Sequence, residues 1–307
     1  MALREYLTTE VGEDWVDGLI TRREAVRRLV LLGMTATSAS ALLTACAEQI
    51  SPSPVATRPV DGSSAPAASQ SAPASGSPAA STPGEAITFP GPTGELQGFL
   101  ATADTPAGTM IVIHENRGLT DHIRSVASRL AGDGYTSLAI DLLSEEGGSA
   151  ALGDPGNVPA ALAAASPERL VGDMAAGLTE LGRRVPGAKL GIIGFCFGGG
   201  MVWTLLDAGE PRLAAAIPFY GPAPSAPDFS GNTAAVLGVY AELDGRVNAS
   251  LGTATTALEA AGLTHEMKTY PGVDHAFFND TGGRYDATQA AAAYTDVLTW
   301  LGRYLAT

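Results

Sequence analysis

The alternation of apolar and polar positions after residue 84 predicts a layered α/β structure. Short, nearly continuous apolar runs have the length and character of buried parallel strands. Longer segments with apolar residues at helical spacing separate them, which is typical of a mostly parallel sheet with helices on both faces. The predicted strands are 94–102, 109–114, 135–141, 189–195, 214–220, 235–240 and 266–270, and the predicted helices are 123–131, 167–183, 199–208, 250–261 and 285–304.

The chain before this region has a different pattern. A basic run over 21–28, which contains paired arginines, precedes an apolar stretch over 29–43. This stretch is too short and too rich in small residues for a typical membrane-spanning helix. Basic residues, an apolar run and a small-residue site in this order are typical of an export signal. The sequence LTAC ending at Cys46 resembles a bacterial lipobox, and the paired arginines resemble a twin-arginine signal. These resemblances imply that Cys46 is lipidated.

We therefore expect residues 1–45 to be an export signal and the protein to reach the cell envelope, lipid-anchored to the outer face of the membrane. Ala25 and Val26 stand where twin-arginine signals have large apolar residues, so the general secretory route stays open. An amphipathic helix with an incidental cysteine is the structural alternative. Residues 46–84 are dominated by Ser, Pro and Ala, which predicts a disordered tether before a folded domain over 85–307.

Composition narrows the classes of partner and cofactor. Hydrophobic residues make up 45% of the 307 residues, which is enough for a sizeable core. The formal charge of -14 argues against nucleic acid as a partner. The two cysteines, Cys46 and Cys196, lie in such different contexts that a disulfide between them is not expected. Together with only four histidines, they are too few and too scattered to predict a metal site.

A glycine-rich turn carries the strongest chemical signal. Gly194, Cys196 and Gly198 follow the apolar run 189–195 and precede a predicted helix, which is the spacing of a nucleophile elbow with cysteine in place of serine. Glycines two residues on either side leave room for a sharp turn, and the helix N-terminus favours a thiolate. The alternatives are a buried structural cysteine or a mononucleotide-binding loop.

A thiol nucleophile requires a base and a carboxylate that orients it. Among the histidines, His275 alone follows the last predicted strand, in the loop where hydrolases of this design place the base. We expect His265 to be a solvated or edge residue and His122 to have a surface or capping role. For the carboxylate we choose Asp244 from the loop after 235–240. Its competitor is Glu242, and Asp274 is too close to His275 in sequence to face its ring.

The segment Ile113-His114-Glu115-Asn116-Arg117-Gly118-Leu119 follows another apolar strand. Loops in this position supply one donor of an oxyanion hole, and the N–H of Phe197, directly after the cysteine, would supply the other. A carboxylate such as Glu115 at a buried strand end is costly unless it has a partner. We expect it to be hydrogen-bonded structurally or poised near Cys196.

Four motifs, HENRGL, GFCFGGG, ELDGRV and GVDHAFFND, together resemble the dienelactone hydrolase (carboxymethylenebutenolidase) family over residues 85–307. The resemblance implies an α/β-hydrolase fold and a triad of Cys196, Asp244 and His275, with Glu115 interacting with the resting thiol. It further implies that the N–H groups of Asn116 and Phe197 hold the oxyanion. The expected reaction is cleavage of a small ester or lactone through a thioester acyl-enzyme, with no cofactor and no metal.

The family's lactone enzymes bind a substrate carboxylate with arginines, one of them shortly after the catalytic histidine, and this sequence departs from that pattern. Arg117 and Arg284 are candidates for anion binding, or they are surface residues. Phe277 and Phe278 are expected to pack the loop rather than to line an acyl site. Two further functions stay open: a general exported carboxylesterase with the same triad, and a surface-tethered thiol sensor or binding protein without catalysis. We expect a monomer that touches the membrane only through its lipid.

Overall fold

The computed structural model describes residues 3–16, 19–49 and 81–306. Within these residues, eight strands form one sheet in the order β1-β2-β4-β3-β5-β6-β7-β8. The β1–β2 and β2–β4 pairs are antiparallel and all other pairs are parallel. The strands are β1 Gly84–Pro90, β2 Glu95–Ala101, β3 Gly108–Ile113, β4 Tyr135–Asp141, β5 Leu190–Phe195, β6 Leu213–Phe219, β7 Ala235–Ala241 and β8 His265–Tyr270.

Helices flank this sheet and follow the strands in alternation, which confirms the predicted α/β-hydrolase fold. The parallel strands β3, β4 and β7 are buried along their whole length, as expected from their mostly apolar sequences. The helices of this part are α4 Asp121–Gly132, α5 Val158–Ala164, α6 Pro167–Arg184, α7 Phe197–Asp207, α8 Gly245–Asn248, α9 Leu251–Ala260 and α10 Ala287–Tyr304, and three 3₁₀ turns lie at Ser144–Glu146, Ser149–Leu152 and Pro155–Asn157, between β4 and α5.

All seven predicted strands and all five predicted helices occur in the structure, with ends shifted by at most a few residues. The sequence prediction missed β1, whose residues alternate only weakly and whose burial comes from antiparallel pairing with β2. It also missed α5, a short Ala-rich helix that begins at Val158 and has proline at its second position. Strand β1 is an edge strand of the sheet, and α5 contacts the helices Leu3–Val16 and Arg22–Leu31.

The chain before the tether folds as three helices: α1 Leu3–Val16, α2 Arg22–Leu31 and α3 Ala36–Gln49. They contact one another, and Leu7, Leu29 and Leu43 are fully buried. The side chain of Cys46 lies over Gly12, where an added Cβ would be 3.1 Å from the sulfur. Most of the predicted tether, residues 50–80, lies outside the described residues.

Within the described ranges, no helix is long and apolar enough to cross a membrane. Helix α1 reaches the carboxyl-terminal edge of the sheet, where the loops after β3, β5, β7 and β8 converge. Ligands bind at this edge in open α/β sheets. The fold therefore brings the predicted site residues and the start of the chain to the same place.

Candidate active site

Cys196 occupies the sharp turn between β5 and α7. Its backbone has φ 56° and ψ −117°, a conformation that is strained for any residue with a side chain. The glycines on either side of Cys196 are in close contact with backbone atoms, which leave no room for a side chain. A Cβ on Gly194 would overlap the carbonyl of Gly198, and a Cβ on Gly198 would overlap the carbonyl of Ile113 and lie 2.7 Å from that of His114. The turn is therefore a nucleophile elbow in geometry as well as in spacing.

Replacing Gly198 with alanine is expected to destabilise the fold by about 3 kcal/mol, because the new methyl group meets backbone atoms that cannot rotate away. Urea denaturation followed by far-UV circular dichroism measures the loss. Gly200→Ala is the matched control in the same helix, since its Cβ would lie 3.6 Å from Pro222. The free energy of unfolding of this control variant should equal that of the unaltered protein or exceed it by up to about 1 kcal/mol. Equal stability of the two variants would contradict the packing argument.

His275 is held by Asp244. The ring Nδ1 lies 2.6 Å from Oδ2 of Asp244, and the second carboxylate oxygen accepts a hydrogen bond from the Val247 N–H at 3.0 Å. The ring of Tyr220 packs edge-on against the imidazole with centroids 5.0 Å apart. Both His275 and Asp244 are buried. The competing carboxylates lie elsewhere: Glu242 accepts a bond from the Gly272 N–H, and Asp274 accepts one from the N–H of His275.

The sulfur of Cys196 faces two side chains of α1. The Tyr6 hydroxyl lies 3.2 Å from Sγ, and the thiol donates to Oε2 of Glu10 at 3.6 Å. The other Glu10 oxygen is 3.5 Å from Nε2 of His275. A carboxylate oxygen of Glu10, the sulfur of Cys196 and a ring nitrogen of His275 all lie within 4.8 Å of one another. The thiol thus lies near the histidine that is bonded to aspartate, and a glutamate from α1 lies against both the thiol and the histidine.

This glutamate sets the charges in the site. Burial raises the pKa of the Cys196 thiol, and the charge of Glu10 raises it further. Burial lowers the pKa of His275, but Glu10 and Asp244 outweigh burial and hold it well above its usual value. Burial likewise raises the pKa of Glu10, and His275 and Arg246 more than offset it. The favoured state is therefore a neutral thiol beside a protonated imidazole and an ionised glutamate.

Arg246 anchors the same glutamate. Its guanidinium bonds to Glu10 and, at 2.9 Å through Nε, to Glu13, and it lies 4.7 Å from the centre of the Tyr6 ring. The sequence reasoning included Arg246 only as part of a motif and missed Tyr6 and Glu10. Their four-residue spacing, continued by Asp14 and interleaved with Leu7, was the available signal for one helix face.

The family model described as the Dienelactone hydrolase family matches residues 96–305, more than half of the chain. The chain belongs to the dienelactone hydrolase family. A protein of Saccharolobus solfataricus, provisionally named carboxymethylenebutenolidase, is 30% identical over 244 residues, covering 68% of this chain and 94% of its own length. A protein of Escherichia coli O157:H7 with the same provisional name is 32% identical over 220 residues, covering 66% of this chain and 79% of its own.

Solved structures agree with this assignment. A provisionally named dienelactone hydrolase from Klebsiella pneumoniae superposes with a TM-score of 0.64 and 27% identity, covering 72% of this chain and 98% of that one. A dienelactone hydrolase-like promiscuous phosphotriesterase from metagenomic libraries has a TM-score of 0.59 at 22% identity, covering 74% of this chain and all of its own, and shows the shared fold. The chain is therefore a hydrolase of the dienelactone hydrolase class.

The remaining residues predicted from the family motifs lie close by. Glu115 is buried, and its Oε2 accepts a hydrogen bond from the Asn279 side chain at 2.6 Å. The carboxylate bonded to the sulfur is therefore that of Glu10, and Glu115 is held by an amide that the sequence reasoning missed. Asn116 lines the same cavity as Cys196, and Phe197 opens α7, where helix N–H groups have no partner within the helix.

The two candidate anion-binding arginines also line this cavity. Arg117 is exposed, whereas Arg284 is mostly buried and lies 3.8 Å from Asp14 on α1. Phe278 packs on Phe195 with centroids 5.4 Å apart, and Phe277 packs on Tyr270, which fits the predicted packing role.

The prediction for His122 was wrong. This side chain is buried rather than on the surface, and its Nδ1 bonds to Asp280 at 2.7 Å, which ties α4 to the loop that carries His275. Asp280 follows His275 by five residues, a long-range pairing that local sequence cannot reveal. His265 opens the edge strand β8 and is only half-buried, as predicted.

Within the described part of the chain, one group of potential metal ligands was found: Glu10, Cys196 and His275, all buried. Thiolate, imidazole and carboxylate are ligands that zinc accepts. The Arg246 guanidinium already neutralises Glu10, which works against a second cation at the same carboxylate. We therefore still predict a metal-free site.

Proposed function

We propose that this protein cleaves esters or lactones by nucleophilic catalysis, with Cys196 as nucleophile, His275 as base and Asp244 as the group that orients the base. The observation that carries the proposal is the combination of a strained elbow cysteine with a buried histidine bonded to aspartate at 2.6 Å. Cysteine, base and orienting carboxylate in this arrangement are the parts of a covalent acyl-transfer site.

The first half of the reaction forms a thioester. Cys196 gives its proton to His275, and the thiolate attacks the carbonyl carbon of the substrate. The negative charge that develops on the carbonyl oxygen is stabilised by the N–H groups of Phe197 and Asn116. When the intermediate collapses, the C–O bond breaks and His275 protonates the leaving alcohol. In a lactone that alcohol remains part of the same molecule.

The second half regenerates the enzyme. His275 accepts a proton from water, and the resulting hydroxide attacks the thioester. Collapse releases the carboxylic acid and returns the proton to the sulfur. Asp244 remains ionised throughout, because its contact with His275 lowers its pKa against the opposing effect of burial. Glu115, fixed by Asn279, contributes negative charge that opposes premature ionisation of the thiol.

We further propose that the protein works outside the cytoplasmic membrane. The basis is the order of basic run, apolar stretch and LTAC sequence, with Cys46 as the lipid attachment site and residues 46–84 as the tether. Export through the twin-arginine or the general secretory route would serve equally. Labelling cells with radioactive palmitate and comparing the chain with its Cys46→Ala variant tests the anchor, and a variant that still incorporates lipid would refute it.

The function is tested with p-nitrophenyl acetate, dienelactone and a set of short lactones. Because Tyr6 and Glu10 lie against the sulfur, both the full chain and a Tyr6→Ala/Glu10→Ala variant are assayed. We expect turnover, and after an acid quench we expect mass spectrometry to find the acetyl group on the peptide that contains Cys196. Cys46 in the same molecule is the internal control.

Two outcomes bear on the mechanism. No turnover by either protein, with no acetylated Cys196, would overturn the proposed function. Turnover that EDTA abolishes would instead assign the chemistry to a metal held by the cysteine–histidine pair. Among active outcomes, a preference for dienelactone and lactones over simple esters separates a lactone hydrolase from a general carboxylesterase.

A further inference from the structure

One face of helix α1 carries side chains that pair with residues of the candidate active site. Tyr6, Glu10 and Asp14 recur every four residues and lie on the same side of the helix as Leu7 and Val11, and all five are buried. Burying polar groups costs free energy unless partners satisfy them. Here the partners belong to the candidate active site: Tyr6 and Glu10 contact Cys196, Glu10 also bonds to Arg246, and Asp14 faces Arg284 at 3.8 Å.

The helix leaves no space for a substrate at the sulfur. Cys196 is only 3% exposed, with a phenol at 3.2 Å and a carboxylate at 3.6 Å from Sγ. The adjoining cavity has a volume of about 40 Å³, and Glu10 and Asp14 form part of its wall. That volume holds a few waters at most. An ester carbonyl cannot approach Cys196 until Tyr6 and Glu10 leave.

The charges at α1 oppose the chemistry as well. A base must be able to accept a proton, and a nucleophilic thiol must be able to lose one. The ionised Glu10 favours protonated His275 and neutral Cys196, which is the reverse of both requirements. Steric and electrostatic effects of the same helix therefore act in the same direction.

We propose that α1 is an intramolecular cap that occupies the substrate groove of residues 84–306 and keeps the hydrolase latent while it is bound. This inference rests on the proposed function of the same site. The partner of the groove is the chain's own helix, recognised through Arg246, which bonds to Glu10 and Glu13. The proposed cleavage before Cys46 would separate the whole of α1 from the catalytic domain.

The opposite role for α1 would be a lid that completes the substrate site. Tyr6 and Leu3 also line an apolar cavity beside Phe197 and Met201, where an acyl chain would fit. A lid and a cap have opposite effects on turnover. Disrupting a lid lowers turnover, whereas disrupting a cap raises it.

The test measures access to the sulfur and turnover separately, in the full chain with Cys46→Ser so that Cys196 is the only thiol. Alkylation by iodoacetamide reports access, and hydrolysis of p-nitrophenyl acetate reports activity. Tyr6→Ala/Glu10→Ala removes the groups on the sulfur. Leu7→Asp loosens the helix through a residue with no hydrogen bond to the sulfur, so it separates undocking from a direct change of thiol pKa.

We expect both variants to raise the alkylation rate and turnover at least about tenfold, since a buried nucleophile reacts only in the open state. Glu5→Ala, an exposed glutamate on the same helix, is the matched control and should change neither rate. Circular dichroism spectra and melting curves check that each variant is folded.

The outcomes distinguish the two proposals. Faster alkylation without any turnover would support the cap and contradict the proposed function. Turnover in the unaltered chain that the variants leave unchanged or lower, with alkylation also unchanged, would overturn the cap and leave the hydrolase intact. Turnover that falls while alkylation rises would assign α1 to the lid.

Discussion

Replacing Cys196 with alanine is expected to lower kcat at least about 10⁴-fold, measured on the best substrate of the panel in the Tyr6→Ala/Glu10→Ala background. The variant keeps the oxyanion donors and the base but has no atom that can form the acyl-enzyme. Only uncatalysed or base-assisted attack by water remains. Substrate binding should be little changed, because a thiol contributes little to it beyond its volume.

Cys46→Ala is the matched control for this substitution and should retain full activity, since Cys46 on α3 lies against Gly12 of α1 and does not line the cavity at Cys196. Residual activity of the Cys196→Ala variant above about 1% would mean that another group attacks the substrate. The same result would remove the reason for the strained turn at this position.

Replacing Asp244 with asparagine is expected to lower kcat by about 10³- to 10⁴-fold without unfolding the protein. The amide has nearly the same shape as the carboxylate, but it cannot stabilise the imidazolium that forms when Cys196 loses its proton. It also donates a hydrogen bond toward Nδ1 of His275, 2.6 Å away, and thus favours the wrong tautomer of the ring. Steady-state kinetics of the uncapped variant measure the loss.

Asp274→Asn is the control, because this aspartate neighbours His275 in sequence but bonds to its backbone N–H rather than to its ring. Its kcat should fall by less than about tenfold. If the two aspartates had equal effects, the orienting role assigned to Asp244 would be wrong, and Asp274 would have to act on the ring.

The residues proposed for catalysis could be located in the sequence because their signals are local. The elbow is read from glycines at fixed spacing around Cys196, and chain order alone selects His275 from four histidines. Choosing Asp244 over Glu242 needed only the expectation that it lies further along a loop. Buried parallel strands were equally visible, since each is a continuous apolar run.

What sequence could not supply is the long-range pairing of polar residues. Tyr6 meets Cys196 across 190 positions, and Glu10 meets Arg246 across 236. Neither pairing has a local pattern, because the cost of burying each polar group is offset by an element far away in the chain.

The contact between Cys46 and Gly12 links both cysteines to helix α1. The Cys46 thiol is half-buried against α1, so separation of α3 from α1 would expose that sulfur more fully to a reagent or enzyme. Exposure of Cys46 and release of Cys196 then become two readouts of one opening motion. In a Cys196→Ala chain, Leu7→Asp should accelerate alkylation of Cys46, and unaltered Cys46 alkylation would show that the two cysteines are uncovered independently.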